Sequence, residues 1–234
     1  MGKAFWKRET IIKHVKEIKA KRDAMLKDVD KFHVRLMRGN DKTGVNCWTV
    51  SLASIIDCEN CGECMWQCYD FRNDMFRESV QKLRLENSVI HKLDIARFWS
   101  EINTEIKNKF ARELRINVGG DLLYEDFSYV AKLGKQNPKT MILFFTKNYK
   151  GINKFLDEGG KFPKNIKAIM SCWEGMEMDN PHNLPCSHVL YEDGRTTAPS
   201  YGAKYCTGNC SECAFYDKGC WTLKNGEHVV FHVH

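Results

Sequence analysis

Two rhythms of apolar residues run through this chain. Between residues 8 and 37, Ile11, Val15, Ile18, Met25, Val29 and Phe32 recur at alternating spacings of four and three, with Arg22 breaking the series. That is the period of one helix face. Past Gly39-Asn40 the character changes: VNCWTVSLA (45–53) mixes β-branched, aromatic and small residues and reads as a strand. Residues 74–112 return to helical period, with Ile95, Phe98, Trp99, Ile102 and Ile106 on one stripe.

A strand–helix alternation follows. LRINVGG (114–120) reads as a strand ending in two glycines, and YEDFSYVAKLGKQN (124–137) as a helix closed by Pro138. TMILFFTK (140–147) is a second strand, NKFLDEGG (153–160) a short helix, and NIKAIMSCW (165–173) a third strand. These strands are apolar at consecutive positions, so both faces must be covered, which is the mark of parallel pairing with helices outside. HVLYED (188–193) and EHVVFHVH (227–234) add two further strand candidates. The pattern predicts an α/β fold with one βα domain over residues 43–234. An amphipathic helical arm over 1–42 precedes it, and its C-terminal segment is cysteine-rich.

Composition narrows the class. A chain of 234 residues buries enough surface to fold without disulfide staples. The densest apolar runs, MILFF (141–145) and VSLASII (50–56), are far shorter than a membrane span. The opening MGKAFWKRET has no signal-peptide core, and Trp6 stands where a myristoylation motif carries Ser or Thr. The expectation is a cytoplasmic protein with no membrane association. Net charge is +6, yet residues 1–42 carry 13 Lys/Arg against 6 Asp/Glu, so the rest of the chain is about neutral. The basic arm is either a nucleic-acid or partner-helix contact or an amphipathic helix docked with its lysines in water.

In a reducing compartment, eleven cysteines favour metal ligation over disulfides. Cys58-x2-Cys61-x2-Cys64-x3-Cys68 has the cysteine spacing of the bacterial ferredoxin run, without its trailing proline. Cys206-x3-Cys210-x2-Cys213-x6-Cys220 is a second set of four, with Gly208 and Gly219 in its turns. The second set is enough to saturate one metal centre. The last cysteine of a ferredoxin run serves a second cluster, so spacing alone does not assign all four of the first set to one 4Fe–4S cluster; structural zinc is the competing reading for both. Cys47 and Cys172 lie in strand-like segments and read as buried small residues, while Cys186 falls in a loop as an extra candidate ligand. Lys147 ends a buried strand and either faces a pocket as acid, base or anion anchor or exits to solvent. Trp66, Tyr69, Trp173 and Trp221 stand near the cysteines as shields against water. His228, His232 and His234 share one face of a half-solvated terminal strand. No Walker loop, Gly-x-Gly-x-x-Gly or nucleophile elbow is present.

A cysteine loop after the first strand and Gly119-Gly120-Asp121 after the second resemble the layout of radical S-adenosylmethionine enzymes. That resemblance implies a cluster on the loop, with Gly119, Gly120 and Asp121 meeting S-adenosylmethionine, although Asp121 stands where those enzymes carry Glu. Their Cys-x3-Cys-x2-Cys spacing occurs here only at Cys206, Cys210 and Cys213. The chain also resembles the phage and prophage gene product 88 family over about residues 43–234. The carriers are Cys58-x5-Cys64-x3-Cys68-Tyr69, Arg115-Ile116-Asn117-Val118-Gly119-Gly120-Asp121, Thr146-Lys147, Pro163-Lys164-Asn165, Cys210-x2-Cys213…Cys220-Trp221 and a terminal aromatic-x-x-His. It implies a TIM-like βα barrel, complete or partial, over residues 43–234, with Cys58, Cys64 and Cys68 as the core of the first set and Cys61 additional.

The expected function is an iron–sulfur protein with two 4Fe–4S clusters, acting in electron transfer or redox sensing with a redox partner protein. If Cys61 leaves one iron open, a radical S-adenosylmethionine-like enzyme is the alternative. A zinc-stabilised nucleic-acid-binding protein is the third reading.

Overall fold

A computed structural model describes residues 7–40 and 43–232. Helix α1 (Arg8–Met25) leads through a 3-10 turn (Leu26–Lys31) to strand β1 (Met37–Arg38) and strand β2 (Cys47–Val50). After a loop carrying the first cysteines come α2 (Tyr69–Phe76), α3 (Glu78–Leu93) and α4 (Ile95–Asn108). The alternating part is β3 (Glu113–Ile116), α5 (Asp126–Gln136), β4 (Met141–Thr146), α6 (Tyr149–Asp157) and β5 (Ile166–Ser171). Strand β6 (Cys186–Leu190), β7 (Ala203–Tyr205), helix α7 (Cys210–Phe215) and β8 (His228–His232) complete it.

All eight strands join one sheet in the order β1-β2-β3-β4-β5-β6-β8-β7, parallel throughout except for the β1–β2 pair. The expected α/β architecture is present. The sheet is not closed into a barrel: β1 and β7, two and three residues long, stand at its two edges. Among the described residues, no helix is long and apolar enough to cross a membrane.

Both faces of the central strands are buried, which explains their unbroken apolar sequences. On β4, Ile142 and Phe144 enter the core beneath α4, α5 and α6, together with Phe98, Ile102, Phe127 and Ile152. Leu143 and Phe145 turn to the opposite face, where they meet Ile169, Val229, Trp221 and the cysteines of the C-terminal segment. The inner face is therefore plugged at one end by the second cysteine set. Local sequence sets the helix starts: Asp94 caps α4 by accepting from Arg97 N (2.9 Å), and Asn148 caps α6 by accepting from Gly151 N (2.9 Å).

The N-terminal stripe behaves differently from the helix expected over 8–37. Helix α1 stops at Met25, and residues 32–36 are extended. Glu101 accepts Val34 N (2.7 Å), Glu105 accepts Leu36 N (3.1 Å), and Arg97 donates to the Val29 and Phe32 carbonyls. Side chains of α4 thus take the backbone groups a longer helix would have used. Helix α1 packs in cis on α3, and Ile11 and Ile18 join Ala53, Ile55, Phe71 and Leu85 in one cluster. Arg22, the residue that broke the stripe, lies on that buried face, where its Nη1 bonds Asp57 Oδ1 at 2.8 Å.

Candidate functional site

Between β2 and α2 the chain makes a loop and a 3-10 turn (Gly62–Gln67) that carry the first cysteine set. Cys61 precedes the turn, Cys64 lies within it, and Cys68 begins α2 as its N-cap residue. The thiol of Cys61 contacts those of Cys58 and Cys64, and these contacts raise its pKa. The same contact with Cys61, aided by the charge of Lys147, brings Cys64 down to about 7. Burial pushes Cys68 well up. Ile55, just upstream, holds φ = 68°, a left-handed conformation that a β-branched residue adopts only under strain.

The second set gathers from the other end of the chain. Cys206 follows β7, Cys210 opens α7, Cys213 lies within it, and Cys220 sits in the 3-10 turn Gly219–Thr222. All four line one cavity of about 170 Å³, walled by Phe145, Trp221, Val229 and Phe231. Trp221 is buried and donates through Nε1 to Cys210 O at 2.9 Å. Gly219 has φ = +63°, and a Cβ there would lie 2.9 Å from Cys213 Sγ, so glycine keeps the thiol's space open. Burial raises the pKa of Cys206 and of Cys220. Cys47, expected as a small core residue, is fully buried beside this set, and burial pushes its thiol up to about 12.

The two sets open on one larger cavity, of about 410 Å³, at the carboxyl ends of the parallel strands. Its walls include Cys58, Cys61, Cys64 and Cys68 on one side, Cys206 and Cys210 on the other, and Arg115, Lys147 and Tyr69 between them. Lys147 faces this cavity and not solvent. Burial works against its charge, but Cys64, Asp121, Cys58 and Cys68 together raise its pKa. Arg115 Nη1 stands 3.7 Å from Cys210 Sγ. Its pKa is likewise raised, with Tyr69, Cys210, Cys47 and Cys220 outweighing the burial. Trp173 also lines the cavity, beneath the Lys147 ammonium, which stands 5.8 Å from its ring centre. Trp66 packs near Cys61.

Gly119 and Gly120 line the cavity, but local packing explains both glycines. A Cβ on Gly119 would lie 2.1 Å from Asp70 Oδ2, and one on Gly120, where φ is +81°, would lie 2.6 Å from Leu52 Cβ. Asp121 is buried, and its carboxylate accepts Lys147 N and Leu122 N, both at 2.8 Å. It ties the β3 and β4 loops together, and burial raises its pKa against the nearby Lys147.

Several residues of the site have no role assigned from the sequence, although Arg115 and Asn117 stand in the strand stretch Arg115–Asp121 that carries the family resemblance. Asn117, at the end of β3, holds φ = 55°, is 6% exposed and has no partner for Nδ2. Gln67 Oε1 and Arg115 Nε are also buried and unpartnered, and all three residues line the 410 Å³ cavity. The signal for Asn117 was its place before Val-Gly-Gly, since Asn tolerates the left-handed region. His188 lines the same cavity and bonds Thr197 Oγ1 and His228 Nδ1, both at 2.9 Å. It pairs with His228 of the terminal strand; His232 is exposed, and His234 lies outside the described residues. Cys186, expected in a loop, is the first residue of β6 and buried.

Among the described residues, no three His, Cys, Asp or Glu side chains converge on a position for a single metal ion. Four thiolates on one zinc, at about 2.3 Å each, would stand roughly 3.8 Å apart. A cubane takes each thiolate on a separate corner iron, so its ligands spread more widely.

A family model described as gene product 88 matches residues 16–201. The match starts inside α1, earlier than the resemblance over 43–234 implied, and ends before the second cysteine set. No curated protein and no solved structure matches the chain.

Proposed function

The chain belongs to the gene product 88 family, and we propose that it is an iron–sulfur protein that carries two 4Fe–4S clusters and works in electron transfer or redox sensing. The observation that carries this reading is one inner cavity lined by all four cysteines of the first set and by Cys206 and Cys210 of the second, with Arg115 and Lys147 between them. Cys206, Cys210, Cys213 and Cys220 would hold one cluster; Cys58, Cys61, Cys64 and Cys68 would hold the other. Bound clusters of this kind supply reversible one-electron transfer, at potentials set by charge, hydrogen bonding and burial.

The protein's own residues fit that role. Deprotonated thiolates buried together need compensating charge, and Arg115 and Lys147 supply it from fixed positions. Gly208 N, 3.4 Å from Cys206 Sγ, and Thr207 Oγ1, 3.2 Å from Cys213 Sγ, offer hydrogen bonds to ligand sulfurs. Phe145, Phe231 and Trp221 keep water from the second set. Such ligation needs free thiols, hence a reducing cytoplasm and a redox partner protein.

A second reading has its own support: a radical S-adenosylmethionine-like enzyme with an open iron at the first set. A cavity of about 410 Å³ adjoins that set, within the range of small-molecule sites. Asn117, Gln67 and Arg115, which line it, each hold a buried polar atom without a hydrogen-bond partner.

Anaerobic purification with visible absorption and iron, sulfide and zinc analysis, on wild type and Cys61→Ser, tests both readings. Brown protein with about eight irons supports the proposal. Loss of roughly half the absorption in Cys61→Ser favours the closed, electron-carrying site. Unchanged absorption with a spectral response to S-adenosylmethionine favours the enzyme. Colourless protein containing zinc overturns both, and the exposed lysines of α1 then become the candidate nucleic-acid contact.

A further inference from the structure

Away from both cysteine sets, three sulfur atoms meet where β5 ends and β6 begins. Cys172 follows β5, Cys186 opens β6, and Met178 lies on the loop that joins them. Met170, two residues before Cys172, pairs with Cys186 across β5 and β6, both cysteines lie in one buried cluster, and Cys172 Sγ stands 3.0 Å from Met178 Sδ. Asn180 Nδ2 reaches Cys186 Sγ at 3.4 Å. The same amide closes its own turn, donating to Leu184 O and accepting from Leu184 N, both at 2.8 Å. Cys172 and Cys186 are buried at 5% and 1% exposure, while Met178 is half-buried, so the group lies one side chain below the surface. The stretch Met170-Ser-Cys-Trp-Glu-Gly-Met-Glu-Met178 holds three of the chain's nine methionines.

We propose that Cys172, Cys186 and Met178 form a binding site for one soft monovalent cation of the Cu(I) type. Two thiolates and a thioether are the donor set that selects Cu(I) among first-row ions. Binding is redox-neutral. Each thiol gives up its proton to solvent, two sulfur–metal bonds form, and the bis-thiolate complex carries one net negative charge. The Asn180 amide, already donating to Cys186 Sγ, offsets part of that charge. Met178 is the third and weaker ligand, and it stands on the solvent side, where an ion would enter. None of the eight cysteines assigned to the iron–sulfur clusters takes part, so this site stands or falls separately from the proposed function.

The test is anaerobic competition between a chromogenic Cu(I) chelator and the full chain as isolated. Wild type is compared with Met178→Leu and with Cys172→Ala/Cys186→Ala. The expected result is one more bound Cu(I) in wild type than in the double variant, with equal iron content in all three proteins. Met178→Leu should keep that equivalent but bind it at least about tenfold more weakly. Equal stoichiometry in wild type and double variant overturns the site, and so does unchanged affinity in Met178→Leu. Should the double variant fail to fold, Met178→Leu, which conserves volume, carries the test with methionine-methyl carbon-13 NMR of wild type. One equivalent of Cu(I) shifts the Met178 resonance if the site is real, and an unmoved resonance overturns it.

Discussion

Replacing Gly119 by alanine separates two reasons for a glycine at this point: close approach of a ligand, and close approach of a buried ion pair. An added Cβ would lie 2.1 Å from Asp70 Oδ2, 2.7 Å from Ser54 Oγ and 3.0 Å from Arg84 Nη1. The carboxylate would have to retreat by more than roughly 1 Å to reach van der Waals contact. It has nowhere to go without breaking bonds. Asp70 Oδ2 accepts from Ser54 Oγ and Arg84 Nη1, both at 2.5 Å, and Oδ1 accepts from Arg84 Nη2 at 2.9 Å. Side-chain exposure is 8% for Arg84 and 2% for Asp70.

Breaking a buried pair from one side costs about 3–5 kcal/mol. Asp74, whose Oδ1 stands 2.7 Å from Arg84 Nη1, keeps part of the compensation, so we expect a loss of about 2–4 kcal/mol. For a chain of this size that is a fall in Tm of roughly 4–16 °C. Urea unfolding followed by far-UV circular dichroism measures it, with the slope against denaturant checked for constancy. In an Asp70→Ala background the 2.1 Å contact is gone and Ser54 Oγ, 2.7 Å away, is freed from its bond to Asp70 and can turn aside, so Gly119→Ala should then cost clearly less than in the wild-type background. A stability loss below about 1 kcal/mol in the wild-type background, accompanied by altered cofactor or ligand response, would refute the ion-pair account. It would return Gly119 to a ligand.

Two further predictions concern charge. With a cluster on the second cysteine set, as proposed, Arg115→Gln, which removes the cation 3.7 Å from Cys210 Sγ, should move its midpoint potential negative by roughly 100–200 mV. Redox titration of the purified protein reads this, and an unmoved potential would mean that Arg115 does not compensate the cluster. Burial, with His228 alongside, holds the pKa of His188 down at about 4, against 6.5 ordinarily. Between those values the unfolded chain takes up a proton that the folded one refuses, so stability is lost as pH falls from 6.5 towards 4. Chemical denaturation across this range should show a shallower pH dependence in His188→Gln, and parallel curves would refute the assignment.

Much of this protein can be read along its chain. The consecutive apolar residues of Met141–Thr146 and Ile166–Ser171 announced strands buried on both faces, and Pro138 marked the end of α5; the next helix, expected over 153–160, runs instead from Tyr149 to Asp157, because Asn148 caps it earlier. Those signals are local: strand period, capping and turn chemistry act within a few residues and need no distant partner. The two cysteine spacings were equally plain, because each set of four falls within fifteen residues of chain.

Other features depend on distant groups and were hidden for that reason. The stripe over 8–37 promised one helix, yet Glu101 and Glu105 claim the amides of Val34 and Leu36. Arg22 looked like an interruption until Asp57 came beside it. The sheet stayed open because its edge strands β1 and β7 do not pair with each other, a matter of long-range register that no local pattern records. Asn117 and Arg115 became site residues only when β3 carried them between the cysteine sets.

By itself, the sequence determined the α/β class, the parallel strands and the two groups of four thiols, because each is written in residues near one another. Tertiary structure alone decided that both groups share a cavity, that Arg115 and Lys147 stand between them, and that Gly119 yields its space to Asp70. Burial and charge pairing are set by what folds against a residue, and a linear pattern holds no record of that.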